Sequence, residues 1–317
     1  MRGRLLITGA AGNLGSRLVR RLLPSGRALR LLIHRRELPA EITNHRNVAV
    51  HRGDLAIPES LTGAGAGVDC IVHFAGVLFR PRPEEFLPHT NLQYFKNLMD
   101  VALQNGAGKV ILISFPQVEG ETTPDHPAVG RLDGKPTSVH ARTRLEEERY
   151  LFAACEGTGT VPVSLRAGMV YGQGILMIEA ARWLLKHRLL GVWRKPTWAH
   201  LISLDDFLAA TQAAIEKESV AGIYHLGDEQ PLYLQEFLDL LADHWGYARA
   251  WRLPVPLIHV AAWGCEAFAT IFRTPSPLTR DFIRIGMASC CGDTPRMREE
   301  LVPQLRYPGI QDGIGVL

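Results

Sequence analysis

Apolar and polar positions follow two rhythms along this chain. Short apolar runs at 5–7, 28–33, 48–51, 68–74, 109–114 and 161–166 read as buried strands. Elsewhere apolar residues recur every three to four positions, which predicts helices at 13–24, 58–64, 91–105, 137–156, 175–188, 205–217, 232–245 and 257–272. Strands that alternate with helices predict an α/β fold, a doubly wound parallel sheet with helices on both faces. After residue 166 the pattern loosens, with prolines at 196, 231, 254, 256, 275, 277, 295, 303 and 308. That part predicts a smaller C-terminal lobe on the carboxyl edge of the sheet, where open α/β sheets bind ligands. There are no repeats and no low-complexity linker.

Composition narrows the class. The 317 residues suffice for one large domain with a lobe, and 46% hydrophobic with 21% charged residues is ordinary for a soluble enzyme. The net charge of +3 is scattered and forms no basic stripe, so nucleic acid is not an expected partner. The run Glu146-Glu147-Glu148 reads as a solvated helix face. Cys70, Cys155, Cys265, Cys290 and Cys291 form no C-x-x-C pair, so neither a metal site nor a disulfide framework is expected. The first strand starts close to Met1, which leaves no room for a signal peptide and makes the cytoplasm the expected location. The stretch 253–272 approaches the length of a membrane span but holds Pro254, Pro256, His259, Gly264 and Glu266. It reads as a buried or amphipathic helix, no span is expected, and shallow membrane contact is left open.

Candidate chemistry begins at Thr8 to Gly15, T-G-A-A-G-N-L-G, between the first strand and the first helix. Gly9 and Gly12 permit a tight turn with close backbone approach to a pyrophosphate, and Gly15 lets the helix lie close on the strand. Ala11, Asn13 and Leu14 complete a loop whose helix N-terminus offers free N–H groups to phosphates.

With further motifs the chain resembles the extended short-chain dehydrogenase/reductase family, which includes nucleotide-sugar epimerases, dehydratases and 3β-hydroxysteroid dehydrogenases. The matching residues are Gly53-Asp54-Leu55, His73-Phe74-Ala75-Gly76, Asn91-Leu92 through Asn97-Leu98-Met99 except that Phe95 stands at the family's threonine, and Leu165-Arg166-Ala167-Gly168-Met169-Val170-Tyr171-Gly172. Further along come Ile202-Ser203-Leu204-Asp205-Asp206 and the tail from Arg296 to Ile314. The stretch Pro275-Ser276-Pro277-Leu278-Thr279-Arg280 is similar to the steroid-dehydrogenase branch. The resemblance implies a Rossmann domain binding NAD(P) over 1–170, joined by segments near 200–228, and a mainly substrate-binding lobe over 171–317. It further implies that Asp54 and Leu55 meet the adenine, and that Phe74, Ala75, Gly76, Asn91, Ala167 and Val170 line the cofactor.

NAD enzymes of this type place an acid after the second strand; here His34, Arg35 and Arg36 stand there. A guanidinium pairs with a phosphate, so NADP is expected over NAD, with Arg35 as main contact and Arg36 in reserve. The family's catalytic Tyr-x-x-x-Lys is replaced by His140 and Arg144, and no tyrosine is followed four residues later by lysine. Ser114 survives on the fifth strand, but Phe115 holds the usual catalytic hydroxyl position.

Two readings follow. In the first, His140 moves a proton, titrating near the ordinary imidazole value of about 6.5, while Arg144 holds ribose or an oxyanion. That is an oxidoreductase or epimerase-like enzyme on a small hydroxy or carbonyl compound. The alternative is a redox-silent lyase, isomerase or nucleotide-sensing binding protein. Asp125, His126, Asp133 and Lys135 are secondary candidates that read mainly as loop residues. Trp183, Trp193, Trp198 and His200, or Arg182, Arg188, Arg194 and Lys195, could meet a substrate. A homodimer is left open.

Overall fold

The computed structural model describes residues 3–76, 82–272, 274, 276 and 278–317, so Pro275 and Pro277 of the tail motif lie outside the described residues. Seven parallel strands form the central sheet: β1 Arg4–Thr8, β2 Leu29–Ile33, β3 Val48–Arg52, β4 Val68–His73, β5 Lys109–Ser114, β6 Val161–Ala167 and β7 Gly222–Leu226. Their spatial order is 7-6-5-4-1-2-3. In the register Leu5 lies between Leu29 and Cys70, and Ile7 between Leu31 and Val72.

Continuous apolar runs form these strands because both faces are covered. Alternate side chains feed two different cores. Leu5, Ile7, Leu31, Ile33, Val72 and Ile111 join the core under the helices α1 Asn13–Leu22 and α5 Leu204–Glu216. Leu6, Leu32, Ile71, Val110 and Leu112 join the opposite core, under α2 Tyr94–Gln104 and α3 Val139–Cys155. Each fully buried aliphatic side chain contributes about 1.5–3 kcal/mol, so a slip of one residue in register would forfeit both cores.

The C-terminal lobe has its own core of Tyr171, Ile178, Trp193, Phe237, Leu241, Ile258 and Ile283. It is built on α4 Leu176–Lys186, α6 Leu234–Trp245, α7 Val255–Phe272 and α8 Arg280–Met287. Three two-stranded ladders stitch it together, among them Met169–Tyr171 on Leu201–Ser203.

Four differences from the sequence reading have identifiable causes. The helix expected at 58–64 is a single tight turn, Pro58–Leu61. Gly63 and Gly67 follow with φ of +78° and +65°, a backbone that cannot continue a helix. The helix expected from 91 starts at Tyr94, because Pro88–Gln93 winds wider in a π-helical turn. The seventh strand, Gly222–Leu226, was missed because its GIYHL run is short and polar at one end. Finally, α7 is neither buried nor amphipathic in the usual sense. It is long and apolar enough to cross a bilayer by length and composition, with mean hydropathy 1.5, yet only 22% of it is buried.

Candidate functional site

The strand order reverses between β1 and β4, so the loops after them diverge and leave a crevice at their carboxyl ends. Gly9 occupies this crevice with φ +67°, and a Cβ there would sit 2.9 Å from Ala75 N and from the Phe74 carbonyl carbon. A Cβ on Gly15 would fall 2.3 Å from the Gly9 carbonyl oxygen, and one on Gly12 would fall 2.9 Å from it. The Gly12 N–H donates to that same oxygen at 2.8 Å, closing the turn. Helix α1 has no side-chain cap and no acid in its first turn. Free N–H groups and the positive end of the helix dipole therefore face the crevice, and a pyrophosphate fits there. Asn13 reaches across to the lobe: its Nδ2 donates to Gly174 O at 2.9 Å, and its Oδ1 accepts from Leu176 N at 3.3 Å. Ala11 and Leu14 pack against the core beneath.

At the far end of β2, His34 Nε2 lies 3.4 Å from Asp54 Oδ2. The other Asp54 oxygen accepts from Ala56 N at 2.9 Å, so this carboxylate is already partly engaged. Asn97 Nδ2 donates to Leu55 O at 2.7 Å and pins the neighbouring backbone. Arg35 and Arg36 are exposed and make no ion pair among the described residues. Glu37, the nearest acid, is held by Arg52 at 2.7 Å. The turn therefore presents uncommitted positive charge.

The candidate catalytic residues lie where β4 and β5 meet α3. Ser138 caps that helix, its Oγ accepting from Ala141 N at 3.1 Å. Asp281, from α8 in the lobe, adds a carboxylate at the same N-terminus. It accepts from Val139 N at 2.9 Å and from His140 N at 3.3 Å. The His140 ring stacks on Phe115, with centroids 5.3 Å apart and planes 12° from parallel. Burial, then the neighbouring Arg144 charge, pushes this imidazole down to about 3. That corrects the expectation of titration near neutrality: His140 is a neutral ring across the physiological range.

Arg144 lies one turn further on, buried, with Nη1 2.8 Å from Glu147 Oε2. The two approach closely, but their angles do not make a hydrogen bond, and Nε and Nη1 of Arg144 have no acceptor. A Cβ on Gly76 would sit 3.1 Å from Arg144 Nη2, so the guanidinium lies against the expected cofactor strip. Glu147 Oε1 is 3.6 Å from His73 Nε2, and His73 Nδ1 shares a 2.8 Å hydrogen bond with Thr8 Oγ1. Burial, opposed by Arg144, raises the Glu147 carboxyl to about 7. Burial, and then Arg144, pushes His73 down to about 3.

Ser114 Oγ, Asn91 Oδ1, His73 Nε2, both Glu147 oxygens and two Arg144 nitrogens are all buried without hydrogen-bond partners. Buried polar groups are ordinarily paired, so this concentration at one end of the sheet marks where a polar ligand belongs. Asn91 Nδ2 is bonded to Thr143 Oγ1 at 2.9 Å. Ala167 and Val170 lie on the β6 side, in β6 and the following Met169–Tyr171 strand. Phe74 packs edge-on against Phe207, with centroids 6.3 Å apart.

Other candidates fall away from this cluster. Asp125, His126, Asp133 and Lys135 are exposed on their loop. Trp193 is a core residue donating to Thr197 Oγ1 at 2.6 Å. His200 is buried between Asp228 O at 2.8 Å and Gly292 N at 3.1 Å. Trp198 stacks on Tyr233, Trp183 is exposed, and Arg182 lies over the Trp245 ring.

The glutamate run corrects the sequence reading. Only Glu146 is solvated, whereas Glu147 and Glu148 are fully buried. The one signal that could have flagged Glu147 is its spacing, i+3 from Arg144 and i+7 from His140 on one helix face. Glu148 pairs instead with Arg166 of β6, which reaches Glu119 as well. Burial would raise Glu119, but His225, Arg166 and two backbone N–H groups hold it at about 2.

The raised Glu147 gives a pH prediction. The folded state keeps a proton there that the unfolded chain has released. This contribution is therefore complete below the ordinary value of 4.5 and is lost as pH rises through about 7. Glu147→Gln should lose less stability than the wild type between about pH 5 and about pH 8 in urea unfolding. Equal slopes would contradict a neutral buried Glu147.

Comparison with known proteins agrees with this fold. The model of the NAD dependent epimerase/dehydratase family matches residues 5–227. Uronate dehydrogenase of Pseudomonas syringae is 31% identical over 165 residues, 52% of this chain and 58% of that enzyme. The chain thus spans little more than half of that relative. A 2-alkyl-3-oxoalkanoate reductase of Stenotrophomonas maltophilia is 26% identical over 252 residues, covering 75% of this chain and 74% of that enzyme. The structure of a Thermus thermophilus UDP-glucose 4-epimerase complex with NAD superposes with a TM-score of 0.75 at 22% identity, covering 99% and 97% of the two chains.

Proposed function

The chain belongs to the NAD dependent epimerase/dehydratase family, within the extended short-chain dehydrogenases/reductases, and from that membership we propose an NADP(H)-dependent oxidoreductase or epimerase-like enzyme. Its substrate is a small hydroxy or carbonyl compound, held mainly by the lobe over 171–317, while 1–170 with 200–228 holds the dinucleotide. The observation that carries the reading is the buried Arg144, whose Nη2 lies against Gly76 while its Nε and Nη1 make no hydrogen bond among the described residues. A ribose hydroxyl pair suits those donors. When bound, the dinucleotide supplies the hydride donor or acceptor.

The protein's own groups do the rest. The Gly9–Gly15 turn and α1 seat the pyrophosphate, and Arg35 with Arg36 meets a 2′-phosphate. Arg144 keeps a fixed positive charge beside the reacting centre and cannot release a proton. His140, held neutral, accepts a hydroxyl proton in the oxidative direction, and Ser114 Oγ offers a hydrogen bond to the same oxygen. Phe115 fixes the imidazole plane by stacking.

One observation favours the redox-silent alternative: an imidazole pushed to about 3 is a weak base. Hydride transfer separates the two readings: an oxidoreductase consumes cofactor, an epimerase-like enzyme passes a hydride to the cofactor and back without net consumption, and a redox-silent protein does neither.

Cofactor choice is tested by thermal shift. NADPH should raise Tm more than NADH at equal concentration, since a ligand at a hundred times its Kd adds about 2.7 kcal/mol. Arg35→Glu should remove or reverse that preference through loss of a charge-assisted contact of about 1.5–3 kcal/mol. Equal shifts in the wild type would overturn the NADP assignment.

A further inference from the structure

We propose that α7 docks the protein on an anionic phospholipid surface, lying in the plane of the headgroups. Its inner stripe, Ile258, Ala262, Glu266 and Ala269, is buried against the lobe. Its outer stripe is Leu257, Val260, Trp263, Phe268, Ile271 and Phe272, all exposed, with Ile271 at 74%. This inverts the usual arrangement of a surface helix, which turns its charges outward. The one charged residue of α7, Glu266, faces inward. It accepts from Arg280 N at 2.8 Å and pairs with Arg280 Nε at 2.7 Å. Water gains nothing from such a surface, and an apolar patch of this extent marks an interaction site.

The surroundings identify the occupant. Helix α7 packs against the Gly191–Trp193 strand and α8. The exposed charges on and just after those elements are Arg194, Lys195, Arg280 and Arg284, all positive, and among the described residues only Arg280 is offset, by Glu266. The acid on α8, Asp281, is buried on the α3 N-terminus and adds no negative charge outside. Exposed Trp251 and Trp263 supply amphipathic rings of the kind that settle at headgroup depth. An apolar helical face with aromatic residues and a cationic rim matches an anionic bilayer. A second copy would set the same cationic rim against itself, since a two-fold interface pairs like patches. Because the inner stripe stays packed on the lobe, α7 lies on the membrane and does not cross it.

The test is co-sedimentation of the full-length protein with vesicles of phosphatidylcholine, with and without about one-third phosphatidylglycerol. Wild-type protein should pellet with the anionic vesicles, and less so at about 0.5 M salt. Val260→Ser with Ile271→Ser should weaken partitioning about tenfold or more while Tm stays unchanged, because both side chains are exposed. Arg194→Gln with Lys195→Gln should narrow the difference between the two vesicle types. Wild-type protein that stays in the supernatant overturns the proposal, as does pelleting that the serine variant does not reduce. A dimer in light scattering that the serine variant converts to monomer, without vesicle binding, would instead assign the face to a contact between copies.

Discussion

Replacing His140 with alanine is expected to lower the turnover rate by roughly 10²–10⁴ while leaving NADPH affinity nearly intact. The ring is no part of the turn built from Gly9, Gly12 and Gly15, to which the proposal gives the pyrophosphate. Its backbone N–H, shared with Asp281, is retained in the alanine variant, so the α3 N-terminus should keep its cap. The pH profile supplies a second readout. With the imidazole held at about 3 by burial and Arg144, the wild-type rate should show no histidine inflection between about pH 5 and about pH 8. Any inflection near 7 should follow Glu147 and disappear in Glu147→Gln. A rate unaffected by His140→Ala would reduce this histidine to a packing residue beneath Phe115.

The largest stability effect should come from Arg166. Its side chain is fully buried, donating to Glu148 through Nε and Nη2, to Glu119 through Nη1, and to the Arg131 carbonyl at 2.8 Å. Removing Arg166 leaves Glu148, among the described residues, with only the Ser164 hydroxyl, and leaves Glu119 to Arg131, His225 and its backbone N–H partners. Arg166→Met should cost about 3–5 kcal/mol and lower Tm by about 5–8 °C. Adding Glu148→Gln should recover part of the loss, because one of the stranded charges is then gone. Calorimetry on the single and double variants measures this directly; a loss under about 1 kcal/mol would mean the network is dispensable.

Most of the sheet was legible because its strands are buried on both faces and carry unbroken apolar runs. The glycine turn was legible for a related reason, since three glycines were needed where backbone meets backbone at Gly9, Ala75 and Phe74. The buried charges were not legible. Glu147 and Glu148 look solvated in sequence because burial depends on partners from elsewhere, Arg144 one turn earlier and Arg166 on β6. Asp281 was also hidden, because its contact with Val139 joins residues 142 positions apart. For the same reason the state of His140 could not be read from residue type. Its proton affinity is set by burial and by Arg144, not by the imidazole alone. Helix α7 was misjudged because composition reports how apolar a helix is and says nothing of which side faces out.

The central claim, in its oxidoreductase form, is that this altered site still passes hydride from NADPH to a carbonyl substrate. Loss of reduced-nicotinamide absorbance, followed with a panel of small ketones, aldehydes and sugar-derived carbonyls, tests it most directly. The panel would be run with the wild type, with His140→Ala, and with the triple variant Phe115→Ser, His140→Tyr, Arg144→Lys. The account predicts NADPH consumption by the wild type with at least one compound, and a loss of roughly 10²–10⁴ in His140→Ala. A wild type that consumes no NADPH with any compound, beside a triple variant that does, would contradict it.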